Sequence, residues 1–212
     1  MAGEHGPGGE ALDSASATRE RVVLASANPK KVVELREILG DLFDLVPRPT
    51  EVADVIEDAD TFVDNARLKA SALVAATGLA ALADDSGLEV DALGGAPGVH
   101  SARYAGDTAS DTDNVTRLLT ELASRPDLEE RRARFRCVIV LQRPDGSELV
   151  AEGTVEGHIA GAPRGEGGFG YDPVFVPDAA GGRTFAEMGK AAKHAISHRG
   201  QALAALRTQL HS

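Results

Sequence analysis

Ala133-Arg-Phe-Arg-Cys-Val-Ile-Val-Leu-Gln142 and Glu148-Leu-Val-Ala-Glu-Gly-Thr-Val-Glu-Gly157 flank Pro144-Asp145-Gly146, and together they read as a long antiparallel hairpin. Upstream the chain changes character, and short apolar runs alternate with helical periodicity. Val22-Val23-Leu24-Ala25 suits a buried strand. Asn28 follows as an N-cap with Pro29 at the first helical position, and Val32, Leu35, Ile38, Leu39 and Leu42 mark one helix face. A second helix is predicted over Phe62–Thr77, stopped by Gly78. Leu79–Ala83 is then a short strand that delivers Asp84 and Asp85 at its C-terminal end. Leu88–Leu93 alternates with period two and ends at Gly94-Gly-Ala-Pro-Gly98. Further helices are expected over Asp111–Ala123 and, capped by Ser197, over His198–Leu210. Alternating elements plus a long hairpin predict an α/β fold with a mixed β-sheet rather than a purely parallel one.

Composition narrows the function classes. Residues 1–19 are rich in Gly, Ser, Ala and acidic side chains without apolar periodicity, which predicts a disordered extension. Residues 20–212 then form a single domain. No apolar run approaches the roughly 20 residues that span a bilayer, and the N-terminus lacks the basic start and apolar centre of a signal peptide. One cysteine, Cys137, leaves no internal disulfide framework; within its apolar run it reads as an inert core thiol. The expected location is cytoplasmic, with no membrane partner. A net charge of -11 argues against a nucleic-acid partner. It would also repel a free polyphosphate, so a phosphate site here requires local Lys/Arg clusters and a divalent cation.

Several segments meet that requirement. Ser26-Ala27-Asn28-Pro29-Lys30-Lys31 carries a strand into a helix N-terminus, where free N–H groups, the helix dipole and lysine charge favour an anion; an ordinary capped helix is the plain alternative. Asp84-Asp85-Ser86-Gly87 places adjacent carboxylates where a hard, oxygen-seeking Mg²⁺ would suit them, leaving one to orient or deprotonate water. An acidic turn explains the same residues. Acidic residues also crowd 54–60, with Glu57 among them, and Lys69 shares a helix face with Asn65. In Gly167-Gly168-Phe169-Gly170-Tyr171-Asp172, glycines admit a close ligand and Phe169 offers a flat face for a base. Lys193, His198 and Arg199 concentrate positive charge near a further helix start.

Taken in order, the chain resembles the inosine triphosphate (dITP/XTP) pyrophosphatase family. The stretches that carry the resemblance are Ser26–Lys31, Thr61-Phe-Val-Asp-Asn-Ala-Arg-Leu-Lys-Ala70, Ala83-Asp-Asp-Ser-Gly-Leu-Glu-Val90, Leu93–Arg103, Gly167–Pro173 and Ile196-Ser-His-Arg-Gly200. The resemblance implies an elongated mixed β-sheet flanked by helices, two lobes around a central cleft, and a homodimer. It implies Mg²⁺-dependent hydrolysis of ITP, dITP and XTP to monophosphate and pyrophosphate. Asp85 would be the general base and a metal ligand with Glu57. Ser26, Ala27, Asn28, Pro29, Lys30, Lys31 and Lys69 would meet the triphosphate, with Ser86 beside Asp85. Phe169, Gly170, Tyr171, Asp172, Lys193, His198 and Arg199 would hold base and phosphates. The position after Lys193, commonly Asn in the family, is His194 here. A pyrophosphatase for modified pyrimidine triphosphates and a non-catalytic nucleotide-binding protein are the competing readings.

Overall fold

The computed structural model describes residues 19–211 apart from 27, 28, 54, 126 and 128, with the side chains of 29 and 30 also outside the description. The expected N-terminal extension therefore falls, except for Arg19, outside the described residues, as does the predicted cap at Asn28.

Six strands form one mixed sheet in the order β2-β1-β3-β4-β5-β6. β1 (Glu20–Leu24) pairs in parallel with β2 (Phe43–Val46) and with β3 (Ala80–Val90). The rest is antiparallel: β3 with β4 (Arg132–Gln142), β4 with β5 (Glu148–Ile159), and β5 with β6 (Phe175–Pro177). The hairpin is found where the sequence placed it, with Gln142 opposite Glu148 and the Arg143 amide donating to the Ser147 carbonyl across the turn. No described helix is long and apolar enough to cross a membrane.

Strand alternation sorts the core. Val22, Leu24, Ala80, Leu82, Cys137, Ile139 and Leu141 face one way, under α1 (Pro29–Leu39) and α5 (His198–Leu210). Val23, Ala25, Ala81, Ala83, Val138 and Val140 face the other, under α2 (Phe62–Thr77). α2 has the predicted bounds because both ends are chemically fixed. The Thr61 hydroxyl accepts from the Asp64 amide, and Gly78 closes the helix at φ 66. At the far end of β3–β5, Leu88, Val90, Phe135 and Val155 pack with α3 (Asp111–Glu121) and with Phe175 and Phe185. Cys137 is fully buried in the first core, and burial pushes its thiol up to about 12, so it is inert as expected.

Two sequence expectations are corrected, and one helix is new. β3 does not stop at Ala83: it runs unbroken through Asp84-Asp85-Ser86-Gly87, because β4 pairs with it residue for residue from Ala81 to Val90. The alternation expected to Leu93 ends at Val90, and Asp91–Leu93 is a 3-10 turn. A short helix, α4 (Lys190–Ile196), carries Lys193 apart from the helix of His198 and Arg199. β2 also had no sequence expectation behind it.

Helix α5 lies directly on β5. A Cβ at Gly153 would stand 2.1 Å from the His198 carbonyl oxygen and 2.6 Å from the Ala202 amide nitrogen, both backbone. Gly153→Ala therefore lifts the helix start and should cost about 1–3 kcal/mol. A urea unfolding midpoint equal to the parent's would contradict this close approach.

Candidate active site

The parallel part of β3 ends where the Ala25 amide donates to the Leu82 carbonyl, so Asp84 and Asp85 lie just beyond the carboxyl end of β1. Ligands gather at such ends in open α/β sheets. A cleft of about 1300 Å³ opens there, with Ser26, Lys31, Lys69, Ser86, Phe169 and Lys193 among its walls.

The two aspartates do not act as one pair. Successive strand residues point to opposite faces. Asp84 joins the α1/α5 side, where its Oδ2 accepts from Lys31 Nζ at 2.8 Å and lies 3.5 Å from Arg199 Nε. Asp85 joins the α2 side, where its Oδ1 accepts from Lys69 Nζ at 3.1 Å. Two cations already occupy Asp84, so the two carboxylates do not converge on one position. Burial disfavours the charged form of Asp84, but Lys31 and Arg199 outweigh it and hold the carboxyl well below the usual range.

Asp85 is tuned the other way. Burial pushes its pKa up, Lys69 opposes, and Glu57 adds to the rise. For Lys69, burial alone would lower the pKa, but the charges of Asp85, Glu57 and Asp84 together raise it. The Lys69 ammonium also lies 3.3 Å from Glu57 Oε1, so it bridges two carboxylates. Two anchors hold Glu57 in place: Arg103 Nη2 donates to its carbonyl at 2.6 Å, and the Asn65 side chain bonds both backbone groups of Ala59. Asp85 Oδ2 is buried with no hydrogen-bond partner among the described residues.

That orphaned oxygen, with Glu57 nearby, is a hard-oxygen donor set. Among the described residues no three His, Cys, Asp or Glu converge on a metal position. One or two carboxylates, with the remaining coordination left to water and phosphate, is the arrangement Mg²⁺ prefers. The residues present fit the ion.

Phe169 has two cations near its ring, with Lys193 Nζ 5.1 Å and Arg199 Cζ 5.8 Å from its ring centroid. Asp172 Oδ2 accepts from the Phe169 amide at 2.8 Å and from Lys193 Nζ at 2.5 Å. Burial raises the Asp172 pKa against the pull of Lys193. Tyr171 lines the cleft, but its hydroxyl donates to the Ser101 carbonyl. Arg199 reaches Glu34 at 2.9 Å and the Ser86 hydroxyl at 3.3 Å. His198 is stacked on Phe135 at 4.7 Å, and its Nδ1 has no partner among the described residues. Burial first, then Arg199 and Lys193, hold the imidazole pKa far below 6.5.

The structure thus gathers Ser26, Lys31, Glu57, Lys69, Ser86, Phe169, Gly170, Tyr171, Asp172, Lys193, His198 and Arg199 around one cleft, with Asp85 tied to Lys69. Ala27 and Asn28 lie outside the described residues. Glu34 and Phe135 were missed by the sequence reading, although both carried a signal. Glu34 stands three residues from Lys31 on one helix face, and Phe135 alternates in step with Cys137.

The sequence pattern of the Ham1 family matches residues 22–209. This chain belongs to the Ham1 family. The dITP/XTP pyrophosphatase of Yersinia pestis is 50% identical over 190 residues, covering 87% of this chain and 94% of that protein. The dITP/XTP pyrophosphatase of Thermus thermophilus is 54% identical over 189 residues, covering 88% of this chain and 89% of its own. The solved structure of a HAM1 protein from Coxiella burnetii superposes with a TM-score of 0.84 at 46% identity, covering 90% of this chain and 98% of that one. That HAM1 protein shares the mixed α/β fold described above.

The neutral, buried His198 has a measurable consequence. Its folded-state pKa is depressed, so below pH 6.5 the unfolded chain takes up the proton first. The stability contributed by this residue is complete above 6.5 and is lost as pH falls, at no more than about 1.4 kcal/mol per pH unit. Between pH 6.5 and 5.5, His198→Asn should show a shallower decline in unfolding free energy than the parent. Equal slopes in urea titrations would refute the buried neutral imidazole.

Proposed function

We propose that this chain hydrolyses deaminated purine nucleoside triphosphates (ITP, dITP and XTP) to the nucleoside monophosphate and pyrophosphate, cleansing the nucleotide pool. The observation that carries the reading is Asp85: a buried carboxylate with a raised pKa, one oxygen on Lys69 and the other without a partner among the described residues, next to Lys69 and Glu57, which line the cleft. The names of the relatives, dITP/XTP pyrophosphatase, support the substrate class.

In this reading Ser26–Lys31 and Lys69 take the triphosphate. Asp85 and Glu57 would hold Mg²⁺, which would neutralise phosphate charge and ease loss of the leaving group. The Asp85 carboxylate accepts a proton from water as that water attacks the α-phosphorus. The bridging P–O bond breaks, and its electron pair leaves on pyrophosphate. Burial makes Asp85 a stronger base than an exposed aspartate, and Lys69 keeps it ionised enough to act.

The base lies on Phe169. Lys193, Arg199 and the neutral His198 aim donors at a 6-oxo group, and Asp172 accepts from the ring N–H. ATP carries an amino group at that position and would leave buried donors unpaired, at about 1–3 kcal/mol each. We extend the reading to residues 20–212 acting as one catalytic domain, to a homodimer on the strength of the family resemblance, and to the cytoplasm, where nucleoside triphosphates are used.

Two outcomes are expected from a pyrophosphate-release assay on ITP, XTP, GTP, ATP and a modified pyrimidine triphosphate, with and without Mg²⁺. ITP and XTP should exceed ATP in kcat/KM by at least about tenfold, the factor one unpaired donor gives. Asp85→Asn should lower kcat by about 10²–10⁴-fold. Equal kcat/KM for ITP and ATP would overturn the specificity. Unchanged turnover in Asp85→Asn would overturn the catalytic assignment and favour a binding protein. A preference for the pyrimidine nucleotide would favour the other pyrophosphatase class.

A further inference from the structure

The turn that carries Phe169 is held by two carboxylates, only one of which belongs to it. Asp172 Oδ2 accepts the Phe169 amide at 2.8 Å. The next amide, that of Gly170, donates at 2.7 Å to Oδ2 of Asp111, which is 59 residues distant in sequence and stands first in α3. Gly170 has φ 58, a left-handed conformation that glycine adopts freely.

α3 does not need the Asp111 carboxylate for its own start. Ser110 and Asp113 form a reciprocal capping box: the Ser110 hydroxyl accepts the Asp113 amide at 3.2 Å, and Asp113 Oδ2 accepts the Ser110 amide at 2.9 Å. Asp111 is thereby released to bond Gly170, and both residues line the cleft. The frame beneath it is firm. Asn114, buried on the same helix, accepts from the Ala105 amide at 2.7 Å and donates to the Ala102 carbonyl at 3.1 Å. Tyr171 fastens the other side of the turn to the Ser101 carbonyl at 2.9 Å.

We infer that Asp111 is a positioning residue for the base subsite: by accepting the Gly170 amide it fixes the direction of the Phe169 ring on which the purine stacks. The inference rests on the proposed role of Phe169. Because the Asp111 side chain is exposed, its loss is tolerated by the fold, and the effect falls on the geometry of the turn.

The test compares Asp111→Ala with Asp111→Asn in the full chain. Asparagine keeps an acceptor oxygen and loses the charge. Asp111→Ala should raise KM for ITP about five- to tenfold, the size of one lost hydrogen bond, with kcat within about twofold of the parent because Asp85 and Lys69 are untouched. Asp111→Asn should restore KM to near the parent value. Hydrogen exchange at the Gly170 amide should accelerate in Asp111→Ala and stay slow in Asp111→Asn. An unchanged KM in Asp111→Ala overturns the inference. So does an equal defect in both variants, which would mean that the charge acts on the nucleotide directly. A parent protein that releases no pyrophosphate from ITP overturns the proposed function instead. In that case unaltered Gly170 exchange in Asp111→Ala still refutes the positioning bond.

Discussion

The Asp84 carboxylate holds the cleft together. It is almost fully buried, and taking such a charge out of water costs several kcal/mol unless it is paired. The pairing comes from two cations on two helices, Lys31 of α1 and Arg199 of α5, which converge on one oxygen from separate parts of the chain. Neither helix could shift without stranding a buried ion, a loss of about 3–5 kcal/mol in comparable cases. Arg199 extends the arrangement to Glu34 and Ser86, so one wall of the cleft is set before any substrate arrives. Preorganised charge of this kind is worth more to a reaction than charge that must be gathered during it.

This local order resolves the conflict between an acidic protein and an anionic substrate. A net charge of -11 repels polyphosphate at long range. Inside the cleft, Lys31, Lys69, Lys193 and Arg199 are each held by a carboxylate, at Asp84, Asp85, Asp172 and Glu34 respectively. Most of these cations pair with a carboxylate that is itself largely buried, so the positive groups are fixed in direction while the surface stays acidic. His198 completes the set as an uncharged ring, kept so by burial and by the arginine beside it.

Much of this was legible in the chain. The stop of α2 followed from Gly78, the hairpin from its turn and alternating arms, and the cluster of candidate residues from ordered motifs. The error at β3 has a local cause. Ser86 and Gly87 have turn chemistry, so β3 was expected to break there. Gly87 is instead a strand residue that must lack a side chain, because a Cβ would stand 2.3 Å from the Gly98 carbonyl and 2.9 Å from the Phe62 ring. Once the strand is continuous, Asp84 and Asp85 separate to opposite faces, which adjacent letters cannot show without knowing the strand persists. Asp111 was silent for a different reason: its partner is a backbone amide, and backbone amides leave no mark in composition or spacing.

The alternation at Asp84 and Asp85 also restricts how this sequence can change. One carboxylate is structural cement and its neighbour is the free acceptor, and only the pleat tells them apart. A single residue gained or lost between Ala81 and Asp84 would exchange their faces, leaving the ion-paired group over α2 and the free one between Lys31 and Arg199. Substitutions along β3 can be tolerated one at a time; a change in its length there would put both aspartates on the wrong face at once.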